Sequence, residues 1–170
     1  MKDASSAGSW RFFLKKVIPG FEDSVVVSTG PSIGVRGSRQ IKGMYTLTAQ
    51  DILSVKPFED VIAHSGYPID IHSPDGEGTA TDHLEWGAMY SIPYRCLITS
   101  EIDNLIVVGR CLSATFEAQA AVRTTPTVGA IGQAGGTAAA LAVQAGVPVQ
   151  QVDYKRLQET LVAHGAYLEV

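Results

Sequence analysis

Cysteine, clustered basic charge and long hydrophobic runs are all scarce in this sequence of 170 residues. Its two cysteines, Cys96 and Cys111, are too few and too far apart for a disulfide framework or a metal knuckle, and we interpret them as small hydrophobic side chains. The 13 lysines and arginines are scattered through a chain of net charge −4, which disfavours nucleic acid and anionic membranes as partners. The first residues contain no apolar signal region, so a cytoplasmic location is expected.

Metal-binding patterns are also missing. The four histidines show no ligand spacing such as HExxH, and we predict no metal site. A dinucleotide-binding GxGxxG motif after a strand is absent from these 170 residues as well, because Gly129, Gly132 and Gly135 are spaced by threes inside a predicted helix.

Formal charge is absent from residues 124–147, TTPTVGAIGQAGGTAAALAVQAGV. This segment is long enough to cross a bilayer, but alanine and glycine dominate it, Gln133 and Gln144 interrupt it, and it lacks an aromatic belt. We therefore predict a helix buried in a globular protein, with Thr125 as the N-cap and Pro126 at the first helical position.

Small residues recur every four positions in that helix, at Gly132, Gly136 and Ala140. Each glycine inside a helix costs about 1 kcal/mol relative to alanine, so the spacing predicts that a sheet or a ligand approaches the backbone closely. The positive end of the helix would suit a phosphate, a carboxylate or a polarised carbonyl. A cofactor site and a tightly packed structural helix both explain the pattern.

The remaining elements are predicted from hydrophobic periodicity and from turn residues. Residues 104–109, NLIVVG, form a nearly continuous apolar run, which is typical of a parallel strand covered on both faces. Helices are predicted over 10–18, with Ser9 as the N-cap, after a cap at Thr48–Asp51, and over 153–164. Strands are predicted over 24–29, 61–65, 67–73 and 89–98, the last with Pro93 at an edge, and a bent strand pair is predicted within 33–48. A mobile loop is predicted over 74–82.

Several motifs in order resemble the C-terminal half of the FAD-dependent oxidoreductase family, which has a fold of the glutathione-reductase type. These motifs are IGVRGSRQIKGMYTLTAQDIL (33–53), SGYPIDIH (65–72), IPYRCLI (92–98), IDNLIVVGRCLSAT (102–115), EA (117–118), VRTTPT (122–127), GQAGGTAAALA (132–142) and LQETLVAHGAYL (157–168).

The resemblance implies an α/β (α+β) fold, the remnant of a Rossmann-like FAD domain joined to part of a mixed-sheet substrate domain. The implied domains are 1–97, a substrate-domain portion with an N-terminal amphipathic helix; 98–147, the last strand and helix of the FAD domain; and 148–170, a C-terminal helix. FAD is the implied cofactor. Its implied binding residues are Gly109, Arg110, Ser113, Arg123, Pro126, Gly132, Gln133, Gly135 and Thr137, and the implied substrate-side residues are Arg36, Ser38, Arg39, Tyr94 and Arg95.

Three positions depart from the family pattern. Phe116 stands where relatives often have histidine, Gly37 where they often have an acidic residue, and Gly136 where they have alanine. Because the GxGxxG half is missing, we expect oxidoreductase activity only after completion by an N-terminal half. The alternative is a non-catalytic remnant that self-associates or binds a partner without flavin, since a strand such as 104–109 would expose unpaired edges.

Overall fold

The computed structural model describes residues 3–32, 34–72, 79–82 and 84–168. The chain divides into two compact units, residues 1–35 and 36–170. The predicted domain boundaries at 97 and 147 stay predictions. The helices are α1 (Asp3–Val17), α2 (Ala49–Leu53), α3 (Phe116–Val122), α4 (Thr125–Ala145) and α5 (Tyr154–Ala163); the strands are β1 (Val61–Ser65), β2 (Ile69–His72), β3 (Thr79–Asp82) and β4 (Tyr90–Pro93); single 3-10 turns lie at Tyr94–Cys96, Gly109–Cys111 and Val149–Gln151.

The first unit contains α1 followed by a segment without regular structure. The helix begins at Asp3 rather than after Ser9, so the predicted N-cap is wrong, whereas the predicted end at residue 18 agrees with Val17. The strand predicted over 24–29 is also wrong, and Val27 is 91% exposed. A β-branched run needs a neighbouring strand for its backbone groups, and the described residues of this unit contain none.

The strand pair predicted within 33–48 does not form. Residues 41–47 instead hydrogen-bond to a distant segment: Ile41 N–H donates to Cys111 O at 2.9 Å, Leu47 N–H to Ser113 O at 3.1 Å, and Thr115 N–H to Leu47 O at 2.8 Å. This parallel contact satisfies the backbone groups that a hairpin would have used.

The predicted cap at Thr48–Asp51 is confirmed as the capping box of α2. The Thr48 hydroxyl accepts from Asp51 N–H at 3.2 Å, and Asp51 Oδ2 accepts from Thr48 N–H at 3.0 Å and from the Tyr45 hydroxyl at 2.9 Å. Burial acts to raise the pKa of Asp51, but hydrogen bonds from Thr48, Lys56 and Tyr45 together hold that pKa below its usual value. The ionised carboxylate is therefore the form that stabilises this turn.

Two small antiparallel sheets follow, each of two strands. β1 pairs with β4 through an irregularity between Val61 and Ala63, and β2 pairs with β3 in regular register. The strands predicted at 61–65, 67–73 and 89–98 are confirmed over β1, β2 and β4, and Pro93 ends its strand as expected. The last part of the third prediction is wrong, because Tyr94–Cys96 form a 3-10 turn. β3 contradicts the loop predicted over 74–82; residues 73–78, with the mobility predicted there, lie outside the described residues.

The parallel strand predicted over 104–109 is wrong. Only an antiparallel bridge between Ile98 and Ile106 forms, and Val108 is partly exposed. Asn104 has a left-handed φ of 56°, and Gly109 begins a 3-10 turn, so the apolar run is too short for a ladder. The residues after this run contain α3, whose N-cap Thr115 accepts from Ala118 N–H at 3.4 Å.

The uncharged segment forms α4, as predicted, but the expected burial is wrong because only one side of the helix is buried and Val143 is 83% exposed. The N-cap is Thr124 rather than Thr125. Val128 N–H donates to Thr124 O at 2.9 Å, which starts the helix one residue earlier than predicted. In the described part of the chain, no helix is both long and apolar enough to span a membrane.

The predicted close approach to α4 occurs at Gly135 alone among the glycines of this helix. A Cβ atom there would overlap the Val108 side chain, whereas a Cβ at Gly129, Gly132 or Gly136 would meet nothing within 4 Å. One glycine therefore allows packing, and the other three leave the outward side of the helix bare.

The predicted C-terminal helix is confirmed as α5, with Asp153 as the N-cap and Gly165 just beyond the end. Leu157 and Leu161 are buried, whereas Val162 is half exposed. Gln158 Nε2 donates to Val61 O at 3.0 Å, which attaches α5 to β1.

Substitution of two neighbouring glycines tests the packing of α4. Gly135→Ala is expected to lower the free energy of unfolding by about 1–3 kcal/mol because its methyl group overlaps Val108. Gly136→Ala, the matched control, should raise it by up to about 1 kcal/mol through helix propensity. Urea denaturation measures both, and equal effects of the two variants would contradict this packing.

The Asp51 capping box predicts a pH dependence. Because the pKa of Asp51 is lowered in the folded state, its stabilisation is fully present above the unfolded pKa, about 4, and is lost as pH falls through the folded pKa. Asp51→Asn should cost about 1–2 kcal/mol at pH 7. The difference from wild type should shrink as pH falls below about 4 in urea titrations; a constant difference would refute the assignment.

Candidate functional site

Two adjoining clefts open near the N-terminal end of α4 and share three residues, Arg36, Asp70 and Arg123. The first, of about 440 Å³, is called the α3 cleft; the second, of about 370 Å³, is called the α4 cleft. The α3 cleft is lined by Arg36, Gly37, Ser38, Gln40, Asp70, Ile71, Phe116, Gln119, Ala120 and Arg123, and the α4 cleft by Arg36, Tyr67, Asp70, Arg110, Arg123 and Thr124.

Positive charge is concentrated at the α4 cleft. Arg36, Arg110 and Arg123 line it together with the N-cap of a helix of 21 residues. The unpaired N–H groups of a helix N-terminus are equivalent to about half a positive charge, which adds to that of the arginines. This arrangement suits an anion or the electron-rich edge of a ring.

Arg123 is held in place by backbone carbonyls. It is the C-cap of α3, its Nε donates to Ala120 O at 3.3 Å, and its Nη2 donates to Asp70 O at 3.4 Å. These bonds come from a helix and a strand, so Arg123 joins both to the two clefts.

Gln119 fixes the opposite wall. This side chain is buried on α3, and its Nε2 donates to Arg36 O at 2.9 Å. A Cβ at Gly37 would lie 2.9 Å from that Nε2. A side chain at position 37 would require the end of Gln119 to move, so glycine there leaves the bond between Gln119 and Arg36 undisturbed.

The remaining lining includes an apolar surface and a carboxylate. Phe116 is 66% exposed, and its ring has no proton to transfer. The Tyr67 hydroxyl donates to Asp70 Oδ2 at 3.2 Å. Among the described residues, no group of three or more His, Cys, Asp or Glu side chains is arranged to hold a metal.

The residues expected to bind the cofactor are distributed over several surroundings. Arg110 and Arg123 line the α4 cleft, Gly109 starts the turn before Arg110 with φ of 80°, and Pro126 lines a neighbouring cleft with Ser65 and Thr127. Ser113 is buried against Thr46 at 2.9 Å between hydroxyl oxygens, and Gly135 faces the interior. The other three lie along the outer part of α4: Gly132, Gln133 and Thr137, whose hydroxyl donates to Gln133 O at 2.8 Å.

The residues expected on the substrate side also separate. Arg36 and Ser38 line the α3 cleft, whereas Arg39 is exposed and lines neither cleft. Tyr94 and Arg95 line a different cleft, next to Glu59 and Gln150. The structure therefore brings Arg36 and Ser38 to Arg123 and leaves the other three elsewhere.

Tyr94 and Arg95 make structural contacts. The Tyr94 hydroxyl donates to Val149 O at 2.9 Å, and burial raises the pKa of Tyr94 to about 12. Arg95 Nε and Nη2 each donate to buried Asp60 at 3.0 Å, and this hydrogen bonding raises the pKa of Arg95. Both side chains hold the segment after β4 to its neighbours.

Sequence reasoning missed Asp70, Gln119, Gln40 and Tyr67. A polar Gln119 among the alanines of α3 and an aspartate between two isoleucines in β2 were the available signals. Neither signal shows which residue the side chain contacts. The hydrogen-bond partner of Gln119, for example, is Arg36, which lies 83 positions away in the sequence.

Comparison with known proteins gives one match. A family model described as FAD dependent oxidoreductase matches residues 3–161. The searches of curated proteins and of solved structures returned no significant match.

The structural role of Arg95 is testable. Arg95→Met should lower the free energy of unfolding by about 2 kcal/mol, because Asp60 loses both guanidinium hydrogen bonds and keeps the bond from the backbone N–H of residue 95. This loss is smaller than that for a fully buried pair, since the Arg95 side chain is half exposed. Urea denaturation of Arg95→Met, Asp60→Asn and the double variant measures the coupling. Lys42→Met, which breaks an exposed pair with Glu101, should change nothing measurable. Additive effects at Arg95 and Asp60 would contradict the assignment.

Proposed function

Because the chain belongs to the family of FAD-dependent oxidoreductases, we propose that it forms the C-terminal part of a flavin oxidoreductase. In this proposal, the N-terminal end of α4 and the adjacent arginines hold the flavin ring of FAD. A complementary N-terminal half supplies the site for the rest of the cofactor.

The observation that carries the proposal is the convergence of Arg110, Arg123 and the N-terminus of α4 on one cleft. FAD, when bound, accepts two electrons and a proton from a substrate as a hydride. The helix end and the two guanidinium groups would stabilise negative charge on the flavin ring. The role of these residues is therefore to bind and to provide electrostatic stabilisation.

The residues fit one end of FAD better than the other. The outward side of α4 at Gly129, Gly132 and Gly136 is bare, with nothing within 4 Å of an added Cβ, so a flat ring could approach the helix backbone there. The pyrophosphate normally binds a GxGxxG turn at a helix N-terminus, and these 170 residues contain no such turn. This difference supports completion by a second half.

A second candidate is a partner-binding or self-associating module without flavin. It is favoured by large apolar side chains on the surface of the described residues, including Trp10 at 65% and Val143 at 83% exposure. Exposed apolar surface of this kind is typical of a contact with another chain. The same surface is also expected of a half-protein, so flavin binding distinguishes the two candidates.

Flavin titration tests the proposed function. The chain should quench the fluorescence of riboflavin and FAD with affinities within about threefold of each other, because it contacts the ring and lacks the pyrophosphate turn. Arg123→Gln should weaken both affinities about tenfold, the value of one lost charged hydrogen bond. Arg156→Gln on α5, which removes the same charge outside both clefts, is the control.

Three results decide between the candidates. Absence of quenching by either flavin would refute ring binding by this chain and favour the partner-binding module. A FAD affinity far above that of riboflavin would refute completion by a second half. Light scattering then shows whether the flavin-free chain self-associates.

A further inference from the structure

The two clefts carry a local charge opposite to that of the whole chain. Three arginines line them against one aspartate, a difference of two positive charges (3 − 1), although the chain has a net charge of −4. A local excess of positive charge attracts an anion even when the surrounding protein repels it. This charge indicates what kind of molecule enters the clefts.

Hydrogen bonds fix the side chain of one arginine and the backbone of another. Arg123 is bonded to Ala120 O and Asp70 O, and the backbone of Arg36 is bonded to the Gln119 amide. A guanidinium presents paired N–H donors that match the two oxygens of a carboxylate. Both arginines line the α3 cleft, so two positively charged side chains belong to one site.

The rest of the α3 cleft is apolar enough to bind more than an inorganic ion. Ile71, Phe116 and Ala120 line it together with the arginines, and its volume of about 440 Å³ lies in the range of small-molecule sites. The exposed Phe116 ring offers a flat surface to a planar molecule. An anionic group and an apolar body are therefore accommodated side by side.

We propose that the α3 cleft binds a small organic carboxylate with a flat apolar body, recognised by Arg36 and Arg123, and that this molecule represents the substrate class of the oxidoreductase. The assignment of the ligand as a substrate rests on the proposed function. The cleft itself belongs to this chain, so its binding is measurable without flavin.

Benzoate and benzamide form a matched pair of probes, because they share the ring and differ in charge. Calorimetric titration of the full chain should give benzoate an affinity at least tenfold above that of benzamide. Added salt should weaken benzoate binding. Arg36→Gln and Arg123→Gln should each weaken it about tenfold, whereas Arg156→Gln should leave it unchanged.

The outcomes separate this inference from the proposed function. Equal affinities for benzoate and benzamide, or benzoate binding that survives both arginine substitutions, would overturn it. Binding of inorganic phosphate in place of benzoate would also overturn it. Benzoate binding without flavin quenching supports the carboxylate site and refutes the flavin function; flavin quenching without benzoate binding refutes the carboxylate site alone.

Discussion

The backbone hydrogen bonds between residues 41–47 and 111–115 hold together the two segments that build the candidate site. Ile41 and Leu47 donate to carbonyls of the later segment, and Thr115 donates back. Residues 36–40, one wall of the α3 cleft, come directly before this contact, and α3, the other wall, begins directly after it. These bonds bring Arg36 and Gln119, which are 83 positions apart in the sequence, within hydrogen-bonding distance.

Sequence patterns predicted elements whose stabilisation is local. The capping box at Thr48–Asp51, the proline near the start of α4 and the apolar face of α5 each act within a few residues, and all three elements are present. The apolar runs 24–29 and 104–109 predicted strands that are absent, because a strand depends on partners elsewhere in the chain. Residues 41–47 do pair with another segment, but that segment is the distant 111–115 and not the neighbouring strand of a hairpin.

The same limit explains which site residues were predictable. Arg36, Arg110 and Arg123 could be chosen one by one, since arginine suits anions, but the resemblance assigned Arg36 to one side of a site and the other two to the opposite side. The structure brings all three to one cleft. The guanidinium group of Arg95 is equally suited to bind an anion, and only its hydrogen bonds to buried Asp60 identify it as a structural residue. Its partner lies 35 positions away, beyond the reach of any local pattern.

The two sides of α4 meet different demands. Its inner side packs through Gly135 against Val108, and its outer side remains bare at Gly129, Gly132 and Gly136. Packing among the described residues accounts for one glycine, because a Cβ at the three open positions would meet no described atom within 4 Å and alanine would favour the helix. Glycine at each of these three positions lowers helix propensity, and no packing among the described residues requires it. The proposed function accounts for this open side as the surface that the flavin ring approaches, next to the arginines that line the cleft at the N-terminal end of α4.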